Sequence, residues 1–279
     1  VEVCRMRKIP IIVFINKLDR EGKDAFDLLD EIEQKLNLTV TPLSFPIGMG
    51  YDFKGIYNLW EKNVNLFSGT KRKQIEETIK IEDLQNPELD DLVGSKAAET
   101  LREELEIVTE VYPDFDREAY LKAELQPVFF GSALNNFGVR ELLDGFIQIA
   151  PAPRPKESDT RLVKPDEKDF SGFVFKIHAN MDPRHRDRLA FVKIVSGTFE
   201  RNTPYLHVRH NKKLKFSSPN AFFAEKKEIV DVSYAGDIVG LHDTGNFKIG
   251  DTLTEGEEMM YKGIPSFSPE HFKYINNAD

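Results

Sequence analysis

The hydrophobic and polar positions near the start of the chain fall into separate blocks. An apolar run over residues 9–15 stops at the polar stretch 16–19, and residues 26–37 then place apolar side chains three and four positions apart. The run predicts a β-strand buried on both faces, as in a parallel sheet, and the later spacing predicts an amphipathic helix. Strand, polar loop and helix form half of a doubly wound α/β unit, whose ligands bind beyond the carboxyl ends of the strands.

A second unit of the same kind follows after a long intervening segment. Residues 126–134 form an apolar run that ends in Gly-Ser-Ala and Leu, and residues 139–147 again have helical spacing. In the segment between the units, the pattern first predicts an extended stretch broken by prolines over 39–48 and a turn over 52–60. Weak strands are predicted next, near 63–67 and 74–81. An amphipathic helical region over 87–111, with a break at Gly94, and a short helix over 116–124 complete the segment.

The pattern changes to a period of two after the proline-rich stretch 151–155. Short alternating runs are separated by glycine and asparagine, which predicts a closed antiparallel barrel; they lie at residues 173–177, 189–195, 204–208 and 238–241. The proline-rich stretch is typical of a stiff linker and marks a domain boundary. The fold class predicted for the whole chain is therefore α/β plus all-β.

These patterns divide the chain into four expected segments. They are the C-terminal part of an α/β domain over 1–150, a linker over 151–169, a barrel domain over 170–258 and the start of a third domain over 259–279. Residues 1–8 have the character of the last turns of a helix, so we expect the sequence to begin inside a domain.

Composition and charge exclude several classes of protein. The 279 residues include 47 acidic and 38 basic side chains, and the net charge of −9 argues against bulk electrostatic coating of nucleic acid, though not against a local basic patch. The single cysteine, Cys4, excludes an internal disulfide and is typical of a reducing compartment, so we expect a cytoplasmic protein. The six histidines show no ligand spacing, and we assign no metal to protein side chains.

The polar loop after the first strand is Asn16-Lys17-Leu18-Asp19, an Asn-Lys-x-Asp pattern. A carboxylate accepts two parallel hydrogen bonds from adjacent N–H donors, and guanine offers that pair at N1 and N2 whereas adenine does not. We therefore expect Asp19 to select guanine, Asn16 to bond the N7/O6 side and the loop backbone, and the Lys17 stem to lie across the base. The alternative is a polar strand-to-helix loop that binds nothing, so a second element has to agree.

The loop after the second apolar strand provides that element. It contains Gly131, Ser132, Ala133 and Leu134, and small residues let a backbone approach a base closely. We expect the Ala133 N–H to donate to guanine O6. Gly-Ser-Ala alone is a weak signal, but two apolar strands ending in these two loops, in this order, favour a guanine-nucleotide site.

A third stretch, residues 180–188, has two alternative interpretations. Its three arginines and one histidine, in a loop between two predicted strands, could contact a phosphate backbone. Two aspartates dilute the charge, and a solvated hairpin loop is the alternative.

The order of these elements resembles that of the translational GTPase family. The resemblance rests on residues 16–20, a long insertion, residues 131–133, the proline linker, and a barrel that contains residues 235–241 and 249–253. It implies the guanine-specificity half of a P-loop GTPase domain, with an insertion, followed by a translation-factor β-barrel. It also implies binding of GTP and GDP, with Mg²⁺ in the full-length protein, and action on the ribosome through rRNA and ribosomal proteins.

Within that family, the chain is most similar to the GTPases of translation termination. The similarity lies in residues 172–177, Asn-Met-Asp-Pro at 180–183, His-Arg-Asp-Arg at 185–188, residues 129–134 and the exit at 263–265. It implies a protein that helps to remove class I release factors from the ribosome. A fragment of the related elongation factor that drives translocation is one alternative, and a nucleotide-free ribosome-binding module is another.

The sequence also departs from the family pattern. It lacks a phosphate loop of the form Gly-x-x-x-x-Gly-Lys-Ser/Thr and the switch region that positions the attacking water. We therefore assign no catalytic residue, and we expect this polypeptide by itself to be inactive in hydrolysis.

Overall fold

The chain forms two compact units, Val1–Ala150 and Pro151–Asp279, in a computed structural model. The structure describes residues 1–67, 78–179, 188–223, 226–263 and 273–274. No helix in these ranges is both long enough and apolar enough to cross a membrane.

The first unit combines a parallel sheet, an antiparallel sheet and six helices in the described ranges. Its elements are α1 (Glu2–Met6), β1 (Val13–Ile15), α2 (Ala25–Leu36), β2 (Val40–Pro42), β3 (Ser44–Ile47), β4 (Gly55–Asn58), β5 (Asn63–Leu66), β6 (Thr78–Lys80), α3 (Pro87–Val93), α4 (Ser95–Val111), α5 (Arg117–Leu121), β7 (Gln126–Phe130) and α6 (Val139–Ile149). The parallel sheet has the order β1-β7-β2, and the antiparallel sheet has the order β3-β4-β5-β6.

Strand β1 is shorter and less buried than the sequence predicts. The apolar run was predicted to be a strand over 9–15 buried on both faces, but only Val13–Ile15 is a strand and Ile9 is 43% exposed. That prediction is wrong because β1 is an edge strand, paired on one side with β7. Within the described residues, positions 9–12 have no neighbouring strand to hold them in a ladder.

The segment between β2 and β7 is an inserted α/β layer. The predicted break of its helical region at Gly94 is confirmed, since α3 ends there and α4 begins one residue later. Helix α4 buries Ala98, Leu101, Leu105 and Val108, which recur at three and four positions and join the core under the antiparallel sheet. The predicted turn over 52–60 is wrong in part, because Gly55–Asn58 forms a fully buried central strand.

The second unit is built on a curled antiparallel sheet. Its elements are β8 (Lys156–Glu157), β9 (Leu162–Val163), β10 (Ser171–Ala179), β11 (Arg188–Ser196), β12 (Thr198–Glu200), β13 (Pro204–His207), β14 (Lys212–Lys215), β15 (Asn220–Phe223), β16 (Lys226–Ile229), β17 (Val232–Tyr234), β18 (Ile238–Asp243) and β19 (Thr252–Thr254). Eight strands form the main sheet, in the order β14-β13-β19-β10-β11-β18-β15-β16, while β12 pairs with β17 and β8 with β9.

One apolar core fills the inside of this sheet. Phe216, just after the end strand β14, belongs to the same buried cluster as Leu241 on β18, so the sheet curls around its own core. Within the described residues no hydrogen-bonded pairing joins β14 to β16. The structure therefore shows a curled sheet, whereas the sequence predicted a closed barrel.

Two segments outside the predicted barrel range also belong to this unit. The expected linker contains the β8-β9 hairpin, in which Lys156 pairs with Val163. Met259 and Tyr261, which we placed at the start of a third domain, are buried in a small core with Val163 and Phe173. Residues 264–272 and 275–279 lie outside the described residues.

A buried network of His207, Arg209 and Asp251 joins the end of β13 to the turn that precedes β19. The Nε2 atom of His207 lies 2.9 Å from Oδ2 of Asp251, and the Arg209 guanidinium donates to both carboxylate oxygens, at 2.6 and 2.7 Å. The Lys248 N–H donates to Oδ2 as well, at 2.8 Å. Burial lowers the pKa of His207, although Asp251 acts to raise it. Burial alone would raise the pKa of Asp251, but the donors from Arg209, Lys248 and His207 hold it below its usual range.

This network predicts that the second unit loses stability on mild acidification. His207 has a lowered pKa when folded, so the unfolded chain takes up a proton first as the pH falls below the ordinary value of 6.5, and unfolding becomes more favourable. The stability of the second unit keeps falling until the pH reaches the lowered pKa of His207 in the folded state. Asp251 adds a separate loss below its ordinary value of 3.8.

Substituting His207→Gln should remove the loss of folding stability that His207 causes below pH 6.5. We expect urea unfolding followed by circular dichroism to show a smaller fall in stability between about pH 8 and pH 5 in this variant than in the parent. The matched control is His178→Gln, which changes an exposed histidine on β10. An equal pH dependence in the parent and His207→Gln would contradict the role given to this network.

Candidate functional site

The candidate site lies where the parallel strands β1 and β7 end side by side. Ile15 is paired with Phe130 at the end of the ladder. Two backbone hydrogen bonds extend the pairing into the loops, from the Gly131 N–H to the Ile15 carbonyl at 2.9 Å and from the Leu18 N–H to the Gly131 carbonyl at 3.2 Å. Loops 16–19 and 131–134 are therefore held edge to edge, although more than a hundred residues separate them in the sequence.

Asn16 joins the two loops through its side-chain oxygen. Its Oδ1 accepts from the Lys17 N–H and from the Ala133 N–H, each at 2.8 Å. The first bond helps to hold Lys17 at a φ of +73°, a backbone conformation that is uncommon for a residue with a side chain. The contact of Asn16 with the loop backbone agrees with expectation. The Ala133 N–H, which we assigned to guanine O6, instead donates to Asn16 in this structure.

Asp19 is fixed by a hydroxyl from the opposite loop. The Ser132 Oγ donates to Oδ1 of Asp19 at 2.5 Å, and Ser132 is fully buried. The Asn135 Nδ2 donates to the same Ser132 Oγ at 2.9 Å. A carboxylate has about four lone-pair directions, so Asp19 keeps acceptor capacity after bonding Ser132. Within the described residues, no hydrogen bond reaches its Oδ2.

The seven predicted residues have different surroundings. Asn16, Lys17 and Ala133 are exposed, Asp19 is half-buried and Leu134 is 76% exposed. Leu18 is only 2% exposed and belongs to the core of the first unit. Leu18 therefore anchors its loop through its side chain, while the polar groups beside it remain accessible.

A third loop, at residues 48–52 in the inserted layer, is hydrogen-bonded to loop 16–19. The Gly50 N–H donates to the Leu18 carbonyl at 2.9 Å. Gly50 has a φ of +62°, and a Cβ added to it would lie 2.4 Å from Oε1 of Glu21. Sequence analysis missed Gly50 and Asn135, because neither belongs to a motif whose spacing indicates contact with residues 16–19.

Loop 48–52 also borders a cavity of about 460 Å³. Gly48, Asp52 and Glu104 are among the residues that line it. Burial raises the pKa of Glu104 to about 7, and the negative charges of Asp24 and Glu103 add to the effect. Near neutral pH this carboxyl group therefore exists in both protonation states. A larger cavity, of about 830 Å³, lies in the inserted layer and is not lined by any of the seven predicted residues.

The described residues do not fit a metal site. Across the described ranges there is no group of three or more histidine, cysteine, aspartate or glutamate residues that could hold an ion. We therefore derive no step through Mg²⁺ from this chain.

The arginine-rich stretch lies largely outside the described residues. Of the residues predicted to contact a phosphate backbone, only Arg188 is described. Its Nε lies 3.7 Å from Oδ2 of Asp243, whose side chain is buried. The alternatives for this stretch therefore stay predictions.

Gly131 is required by the close approach of its neighbours. A Cβ at this position would lie 2.4 Å from the Phe137 carbonyl oxygen and 2.7 Å from Cζ of Phe14. The Ser132 and Phe137 backbones bond to each other, at 2.9 and 3.0 Å, and close the loop directly behind Gly131. The lack of a side chain at Gly131 therefore lets the Phe137 backbone and the Phe14 ring pack directly against this loop.

The fold is an α/β domain followed by a β-rich domain. Two family comparisons agree with this architecture. Residues 1–152 match the elongation factor Tu GTP binding domain, and residues 169–256 match elongation factor G domain 2. The first match covers more than half of the chain. The chain belongs to the translational GTPase family, whose GTP-binding domain binds guanine nucleotides.

We predict that Gly131→Ala destabilises the first unit by about 1–3 kcal/mol, because its Cβ meets a backbone oxygen that cannot move aside cheaply. Urea unfolding followed by the fluorescence of the single tryptophan, Trp60, would measure this change in the first unit. The control is Gly22→Ala in the neighbouring loop, where the nearest atom to the new Cβ is Sδ of Met49 at 3.8 Å. Equal stability of the two variants would refute the role of Gly131.

Proposed function

We propose that the full-length protein binds GDP and GTP with the guanine base between loops 16–19 and 131–134. The observation that supports this most is the convergence of two sequence-distant motifs, with Asn16 bonded to Ala133 and Asp19 bonded to Ser132. These bonds pre-orient polar groups, so less ordering is needed when a ligand binds. The proposed contacts come from Asn16, Lys17, Leu18, Asp19, Ser132, Ala133 and Leu134.

In this proposal Asp19 provides base specificity. Its free acceptor positions bond the N1–H and N2–H₂ groups of guanine, a pair that adenine lacks. The Lys17 stem covers one face of the base. Because the Ala133 N–H already donates to Asn16, its contact with guanine O6 requires this hydrogen bond to be shared or exchanged when the base enters.

We further infer that the protein is a termination GTPase resembling bacterial peptide chain release factor 3, which promotes release and recycling of class I release factors on the ribosome. The support is sequence resemblance in residues 172–177 and 180–188, most of the latter outside the described residues. Hydrolysis of GTP is proposed for the full-length protein in the cytoplasm. We assign it to no residue of this chain, because the sequence has no phosphate loop.

A translocase of the elongation factor G type is the second candidate. The observation that favours it is the match of residues 169–256 to elongation factor G domain 2. Both candidates share the guanine site, so only their actions on the ribosome separate them.

Ribosome assays with the full-length protein can separate the two. We expect addition of the protein and GTP to speed the departure of a labelled class I release factor from post-termination ribosomes, without speeding movement of messenger RNA. The Asp19→Asn variant should lose this effect with GTP and regain it with XTP. Faster messenger RNA movement with no effect on the release factor would instead identify a translocase.

Base specificity gives a second prediction. We expect Asp19→Asn to weaken GDP binding by roughly 10- to 100-fold, since hydrogen bonds to a charged group are lost, and to favour XDP. Xanthine carries a carbonyl where guanine carries its amino group, which suits an amide donor. Competition titrations with GDP and XDP measure the change. Asp30→Asn, an equal charge change at an exposed residue of α2, is the control. An unaltered preference in Asp19→Asn would show that Asp19 does not contact the base.

A further inference from the structure

The Ser132 hydroxyl has one proton, and its geometry determines where that proton goes. Its Oγ lies 2.5 Å from Oδ1 of Asp19. An ionised carboxylate can only accept, so the hydroxyl has to be the donor in this bond. Once its proton is used, the Ser132 oxygen can serve only as an acceptor towards any other group.

Asn135 provides the donor that this acceptor needs. Its side-chain nitrogen lies 2.9 Å from the Ser132 Oγ. An amide oxygen at that place would face an oxygen with no proton left to give, so the direction of the chain of hydrogen bonds orients the amide with its NH₂ group towards Ser132. A short 3₁₀ turn at Ala133–Asn135 holds the residue there, and the Asn135 N–H donates to the Ser132 carbonyl at 3.1 Å.

We propose that Asn135 is a positioning residue for base selection. By donating to Ser132, it orients the hydroxyl towards Asp19, and the hydroxyl in turn holds the carboxylate facing the guanine edge. Asn135 acts through Ser132 and does not contact the base. This inference rests on the proposed function, in which Asp19 selects guanine.

Asn135→Asp is the sharpest test because it keeps the shape of the side chain and removes the donor. The new carboxylate accepts from Ser132 in competition with Asp19, and Ser132 cannot satisfy both with one proton. Asp19 then loses its fixed orientation. The neighbouring Asn136 provides a matched control: it is exposed, within the described residues its side chain makes no hydrogen bond, and Asn136→Asp adds the same charge one position away.

The measurement is the ratio of the dissociation constants for IDP and GDP in the full-length protein. Hypoxanthine lacks the 2-amino group of guanine, so the ratio reports the contact with Asp19 rather than overall affinity. We expect Asn135→Asp to lower the ratio about fivefold, as for the loss of one ordinary hydrogen bond, and Asn136→Asp to leave it unchanged. Asn135→Ala should lower it in the same direction, and it replaces the first variant if that one does not fold.

A double-mutant cycle separates positioning from a general structural effect. In an Asp19→Asn background, Asn135→Asp should cause no further change in the ratio, because both substitutions act on one contact. An unchanged ratio in both Asn135 variants, an equal fall in Asn136→Asp, or full additivity in the cycle would overturn this inference alone. A parent protein that does not prefer GDP to IDP would overturn the proposed function, and the inference with it.

Discussion

The parallel pairing of β1 with β7 is the constraint on which the candidate site depends. A strand pair fixes the positions of the residues that follow it, since consecutive backbone groups are already placed by the ladder. Here the ladder ends at Ile15 and Phe130, and two more backbone bonds continue it through Gly131 and Leu18. The side-chain bonds from Asn16 and Asp19 form on top of this framework. The strand pairing therefore brings the two loops close enough for the bonds between Asn16 and Ala133 and between Ser132 and Asp19 to form.

The inserted layer has a structural role in addition to its own core. It begins directly after β2 and returns before β7, so its first loop lies beside the carboxyl end of the parallel sheet. The Gly50 N–H bonds the Leu18 carbonyl from there, while loop 131–134 bonds Leu18 from the other side. Loop 16–19 is therefore held between two segments that belong to different layers. Changes in the packing of the insertion can reach the candidate site through this loop.

The second unit achieves its stability by a different arrangement. Its curled sheet encloses an apolar core, yet one end of that core contains an ionic network of His207, Arg209 and Asp251. Burying a carboxylate is costly unless it is paired and hydrogen-bonded, and Asp251 receives donors on both oxygens. The network fixes the turn before β19 to β13. It therefore adds a side-chain link between β13 and the start of β19, two strands that also pair with each other in the sheet.

The sequence by itself determined the local patterns of this protein. Periods of three and four located α2, α4 and α6, period two located β10, β11, β13 and β18, and Gly94 correctly marked a helix boundary. The two loop motifs, together with the proline linker and the barrel segments, indicated the family that the comparisons show. Each of these signals lies within a short window, in which neighbouring residues are also neighbours in space or recur at a fixed spacing.

Only the tertiary structure decided the rest. An apolar run predicts a strand but does not by itself show whether that strand is central or at an edge, and the structure places β1 at an edge with Ile9 exposed. The bond between Ser132 and Asp19 spans 113 positions, and that between Ala133 and Asn16 spans 117. No periodicity encodes such contacts. They depend on which strands pair and where the chain returns, and this choice is made by the packing of the whole unit rather than by any local stretch.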